Sequence, residues 1–254
     1  DGIGVATALA ILDANDIEHG PIECLFTVDE ETGLSGASAL SPEALKSRIL
    51  LNLDSEDEGE IFIGCAGGVD TLAKLPFDKE ETPAGAYFRI YVKGLKGGHS
   101  GDDINKGLGC ANKLLNRILW AADKEMDMRL AQFDGGNLRN AIAREAYADV
   151  VVMEQEAEDL KQLVAKYSDE LKYEFRSTEP NMQVGIEAIP TPEFVVDMLS
   201  QDNLLNVLYA CPHGVLAMSR EIPGFVETST NLASVKMQEG YFMITTSQRS
   251  SLES

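Results

Sequence analysis

The 254 residues, 44% of them hydrophobic and 25% charged, suffice for one large domain or two ordinary ones, with the balance of a soluble globular chain rather than a disordered one. A formal net charge of -21 opposes the phosphates of nucleic acid, and no run approaches the ~18 consecutive apolar residues of a membrane span, so neither nucleic acid nor membrane is an expected partner. Cys24, Cys65, Cys110 and Cys211 stand apart without a CxxC pairing, which excludes the usual structural-zinc and disulfide patterns and suits a reducing cytoplasm.

Val5, Leu9 and Leu12, with alanines between them, have helical spacing, and a helix is predicted over about 4–15. Gly20-Pro21 ends it. Residues 22–28, Ile-Glu-Cys-Leu-Phe-Thr-Val, read as a buried strand that stops at Asp29-Glu30-Glu31-Thr32-Gly33. Pro42 is placed to open another short helix, and a second strand at 48–53 runs into the acidic stretch 54–60. Helix, strand, helix and strand in that order predict a parallel sheet, whose ligands bind outside the carboxyl ends of the strands. Both acidic clusters fall at such ends. Lys, Glu, Thr, Pro and Gly crowd together at 78–85 and mark a break.

Beyond the break, Phe88, Ile90 and Val92 alternate with more polar residues, as in a half-buried strand. A glycine-rich turn carrying His99 comes next, and Leu108, Ala111, Leu115, Ile118 and Ala122 then trace one face of a long helix. Strands at 148–153 and 182–189 flank a helix with Leu160, Leu163, Val164, Tyr167 and Leu171 on one side. A further helix is predicted over 192–209, and a hairpin, 231–238 and 241–249, turns at Glu239-Gly240. The expected fold class is α/β: a partial parallel-sheet domain over 1–85, then an α+β domain over 86–254.

Glu30 and Glu31 are adjacent carboxylates at a strand end, where neighbours point in different directions and one site can use them in two roles. Asp54 is similarly placed after the next strand. Solvated loop acids would look the same. His99, in Lys96-Gly97-Gly98-His99-Ser100-Gly101, has the backbone freedom and the ring to meet a metal or a developing oxyanion, or is a turn histidine. A phosphate loop is excluded, since no GxxxxGK[ST] pattern occurs. Arg249 can pair bidentately with a carboxylate or is an exposed strand arginine, and Asn140 can donate to a carbonyl or cap a turn. His19 and His213 read as structural or exposed.

Several blocks together resemble the aminoacyl-histidine dipeptidases (Xaa-His dipeptidases) of the M20 metallopeptidase group. They are Asp1-Gly2-Ile3-Gly4-Val5-Ala6, Thr27-Val28-Asp29-Glu30-Glu31-Thr32-Gly33-Leu34 and Leu53-Asp54-Ser55-Glu56-Asp57-Glu58-Gly59-Glu60. Gly64-Cys65-Ala66-Gly67-Gly68, Lys93-Gly94-Leu95-Lys96-Gly97-Gly98-His99-Ser100-Gly101 and Leu138-Arg139-Asn140-Ala141-Ile142 follow the same pattern. The resemblance implies that 1–85 is part of a di-metal catalytic domain and 86–254 a lid domain. It implies Glu30 as general base, Glu31 and Asp54 as metal ligands, His99 as the lid residue at the scissile carbonyl, and Asn140 and Arg249 as substrate contacts.

The implied cofactors are two divalent metal ions, zinc or else manganese or cobalt. The implied partners are a small peptide substrate and a second copy of the chain in a homodimer. The same pattern sets its first metal histidine and bridging aspartate before residue 1 and its last metal histidine after residue 254. The chain is therefore expected to be the middle of such an enzyme and inactive alone. A deacylase or tripeptidase of the same group, and a metal-free interaction module, stay open as alternatives.

Overall fold

The computed structural model of the chain describes residues 2–30, 34–54, 59–62 and 64–252. Its contacts form two compact units, Asp1–Ile63 and Gly64–Ser254.

The first unit opens with α1 (Gly2–Asp13), the predicted helix set about two residues earlier. Among its described residues only Gly4 is buried, and Ile3, Leu9 and Leu12 are 77%, 52% and 52% exposed, so its apolar side has no cover here. The expected parallel sheet is not formed among the described residues. Residues 22–28 and 49–54 run without a ladder, and Leu50 and Leu51 are 79% and 81% exposed. Apolar content can mark a segment for burial, but a strand exists only where a neighbour takes its backbone N–H and C=O groups. No helix starts at Pro42 either. The second helix is a single turn, α2 (Ser35–Ser38), entered through Leu34 at φ 60, with the Ser35 hydroxyl donating to Asp29 Oδ2 at 2.9 Å.

The second unit contains ten strands, three α-helices and a short 3-10 turn at Glu154–Glu156 among the described residues. In chain order the strands and helices are β1 (Gly67–Pro76), β2 (Lys79–Glu80), β3 (Ala86–Lys93), α3 (Ala111–Glu125), β4 (Arg129–Gly135) and β5 (Ala146–Val152). Then come α4 (Ala157–Glu174), β6 (Gln183–Ala188), β7 (Val195–Val196), α5 (Met198–Ala210), β8 (Gly214–Met218), β9 (Val226–Gln238) and β10 (Tyr241–Ser250). The main sheet runs β1-β10-β9-β4-β5-β3-β6, with β8 also on β9, and β2 pairs with β7. Every ladder described is antiparallel. The second unit is thus the expected α+β layer, with helices packed on an antiparallel sheet.

The alternation read from β3 holds: Phe88, Ile90 and Val92 are buried, and Arg89 stands opposite Asp149 of β5. That pair is bidentate at 2.7 and 2.8 Å, and the guanidinium lies over the Tyr147 ring. The stripe on α3, Ala111, Leu115, Ile118 and Ala122, is fully buried in one core with Ile90, Phe133 and Phe242. Each such leucine or phenylalanine contributes about 1.5–3 kcal/mol through burial.

By contacts the two units divide at residue 63, and β1, paired with β10 from Gly67↔Ser250 to Pro76↔Tyr241, belongs wholly to the second unit. The helix predicted over 192–209 starts only at Met198, since Val195 and Val196 form β7 first. Asp197 then caps α5, accepting the Ser200 amide at 2.9 Å. No helix among the described residues is long and apolar enough to cross a membrane.

Candidate active site

Of the residues singled out in the sequence, His99, Asn140 and Arg249 meet in the second unit. His99 lies in the connection from β3 to α3, which leaves the strand through Gly94 at φ 76 and passes Gly97 at φ 66, backbone angles that glycine adopts without strain. The turn docks on residues 140–142. Ser100 N donates to the Asn140 carbonyl at 2.8 Å, Ile142 N donates to the Gly98 carbonyl at 2.8 Å, and His99 bridges to Ala141. Within the turn, His99 N donates to Asp103 Oδ2 at 2.7 Å, and Asp103 is ion-paired with Lys106. The Lys106 ammonium first, then the His99 amide, hold the Asp103 carboxyl below the usual carboxylate range.

The ring of His99 is oriented on both sides. Nδ1 lies 2.9 Å from Asp102 Oδ2 and 3.4 Å from the Asp102 amide nitrogen. Nε2 faces Arg249 Nη2 at 3.5 Å. Arg249 extends from β10, half-buried, opposite Gly68 of β1 and Ser229 of β9. Arg89, Arg117, Arg129 and Arg139 each sit on a carboxylate. Arg249 has none among the described residues, in a chain of net charge -21. A half-buried guanidinium can pair bidentately with an anion.

Asn140 is exposed, and the backbone on either side of it is held in place. Asn231 of β9, 1% exposed, donates Nδ2 to the carbonyls of Arg139 at 3.2 Å and Ala141 at 2.9 Å. Arg139 is anchored in turn to Asp70 of β1 at 3.1 Å. Neither Asn231, Asp102 nor Asp70 is conspicuous in the sequence. The one local signal was the i,i+3 spacing of Asp102 from His99. His213, read as structural or exposed, is half-buried and accepts the Leu232 amide at Nδ1, next to Asn231.

In the first unit Glu30 is exposed in a turn whose carbonyl accepts the Leu34 amide at 3.3 Å. Asp54 is also exposed, its amide donating to Asn52 Oδ1 at 3.1 Å. Glu31 lies outside the described residues. Carboxylate oxygens suit divalent cations, but no three His, Cys, Asp or Glu side chains converge among the described residues. Those residues alone therefore do not enclose a metal ion.

Residues 84–179 match the model of a peptidase dimerisation domain of the M20 type. The chain is 45% identical over 240 residues to the cytosol non-specific dipeptidase of Escherichia coli (strain K12), covering 94% of this chain and 50% of that protein. It superposes on the crystal structure of aminoacylhistidine dipeptidase from Vibrio alginolyticus with a TM-score of 0.84 at 42% identity, over 99% of this chain and 52% of that one. The chain thus spans about half the length of the relatives it matches. Over that half the chain is similar to these dipeptidases, and residues 84–179 are similar to the M20-type dimerisation domain.

Proposed function

We propose that the chain supplies part of a dipeptide-hydrolysing M20 enzyme, probed best by Xaa-His dipeptides, in which Arg249 holds the substrate's terminal carboxylate. The observation that carries this reading is the half-buried guanidinium, without a carboxylate partner among the described residues, 3.5 Å from His99 Nε2. A dipeptide sets its carboxylate one residue from the scissile carbonyl, so a carboxylate on Arg249 leaves that carbonyl near His99. His99 Nε2, when it carries a proton, donates to the oxygen that becomes negative as water adds. Asn140, exposed beside it, is a second donor to the substrate. Glu30 takes the proton from the attacking water and passes it to the leaving amine.

Glu31 and Asp54 would be oxygen ligands of two divalent ions, zinc or else manganese or cobalt, completed by ligands outside the described residues. The parts that 1–85 and 86–254 play as catalytic and lid domains belong to the same reading. The match to a peptidase dimerisation domain and the name of the Escherichia coli relative support a cytoplasmic homodimer.

Kinetics of Arg249→Ala in the full-length protein test the reading, with a dipeptide and its C-terminal amide side by side. A charge-assisted hydrogen bond contributes about 1.5–3 kcal/mol, so kcat/KM for the free acid should fall roughly ten- to a hundredfold while that for the amide barely changes. Equal losses on both substrates would show that Arg249 does not recognise the carboxylate.

A further inference from the structure

Glu179 is a carboxylate 2% exposed, and no cation pairs with it among the described residues. Burying an unpaired charge is costly, so its partners show what it is for. Oε2 accepts the backbone amide of Lys96 at 2.8 Å and Oε1 accepts that of Gly109 at 2.9 Å. These two amides are the two ends of the connection that carries His99, just after β3 and just before α3. One side chain therefore ties the neck of the loop shut, while the tip is docked on residues 140–142. Glu179 is itself fixed in the turn after α4, its amide donating to the Phe175 carbonyl at 2.8 Å and its carbonyl accepting from Met182 N at 3.2 Å.

The chemistry of the clasp requires a carboxylate. Two N–H donors approach from two sides, and only a group with two accepting oxygens satisfies both. Glutamine would accept one and turn its own NH2 toward the other. Aspartate would fall short by a methylene. We infer that Glu179 is a positioning residue that holds His99 at its distance from Arg249 by closing the neck of the loop.

The inference rests on the role proposed for His99, and two separable measurements test it. In the full-length protein, Glu179→Gln should speed hydrogen exchange of peptides covering 96–109 at least about tenfold and leave β3 and β5 unchanged. Unchanged exchange in the loop overturns the clasp. In kinetics with a dipeptide, Glu179→Gln should lower kcat roughly tenfold with KM little changed, since small misplacements at a reacting centre cost up to about a hundredfold.

In a His99→Ala background the same substitution should cost less than about twofold, because its effect passes through the ring. An equal cost in both backgrounds means a general structural role and refutes the assignment. If Glu179→Gln does not fold, the unsubstituted protein still decides the matter. The Lys96 and Gly109 amides must then be individually protected from exchange, and open-loop rates at both overturn the proposal. A protein with no dipeptide turnover at all would sink the functional reading while the exchange measurements still judge the clasp.

Discussion

Acid should weaken the second unit through His213. Its Nδ1 accepts the Leu232 amide at 3.2 Å, and a nitrogen that accepts has no proton to lose. Burial, with the nearby Lys113 ammonium adding to it, pushes the imidazole from 6.5 down to about 4. Lys113 is immobile, donating to the carbonyls of Leu208, Tyr209 and Cys211 at 2.7, 2.9 and 2.7 Å. The unfolded chain takes up a proton at this histidine near pH 6.5, and the folded chain resists until about pH 4. The contribution to stability is therefore complete above pH 6.5 and is lost as pH falls through that window. At about 1.4 kcal/mol per pH unit the ceiling is about 3 kcal/mol, and partial solvent access lowers it to about 2 kcal/mol.

Urea unfolding of the chain and of His213→Gln at pH 7, 5.5 and 4 isolates the effect. The glutamine oxygen can still accept the Leu232 amide but does not titrate, and the many carboxylates cancel in the difference. The advantage of the natural chain should shrink by about 2 kcal/mol from pH 7 to pH 4. A difference that stays flat over that range would refute the buried, neutral imidazole.

Asn231→Asp should cost at least about 2 kcal/mol in chemical or thermal unfolding, because a carboxylate cannot donate to the Arg139 and Ala141 carbonyls; an unchanged melting temperature would show the clasp to be dispensable. Gly136 has φ 64, and a Cβ there would collide with the Ala233 carbonyl, so Gly136→Ala should destabilise by more than about 2 kcal/mol in the same assay. In the full-length protein, Glu30→Gln should lower turnover at least about a hundredfold, the scale for losing a general base, with metal content unchanged. Glu31→Ala and Asp54→Ala should each lower metal content measured after dialysis, and full occupancy in both would make them ordinary surface acids.

Where the pattern was local, the sequence was legible. Of the stripe from Leu108 to Ala122, the part from Ala111 onward became α3 while Leu108 stayed in the loop before it, the alternation of Phe88, Ile90 and Val92 became β3, and the turn at Glu239-Gly240 joined β9 to β10. These follow from periodicity and from the conformational range of glycine, which act over a few residues. β1 was not read, since its burial does not alternate and it is a strand only because β10 pairs with it. Residues 22–28 and 48–53 failed in the opposite sense: their apolar content suits a strand, but no ladder takes them up among the described residues.

The candidate site divides in the same way. His99 with its flanking glycines, the adjacent Glu30 and Glu31, Asp54, Asn140 and Arg249 were found from residue type and motif, because reactive side chains and permissive backbone advertise themselves locally. That Arg249 faces His99, that Asn231 grips both sides of Asn140, and that Glu179 closes the loop around His99 depend on pairs far apart in the chain. The sequence by itself determined which groups carry chemistry. Only the folded sheet, by setting β9 and β10 beside the 98–100 and 140–142 segments, decided which of those groups meet and which buried polar residues hold them there.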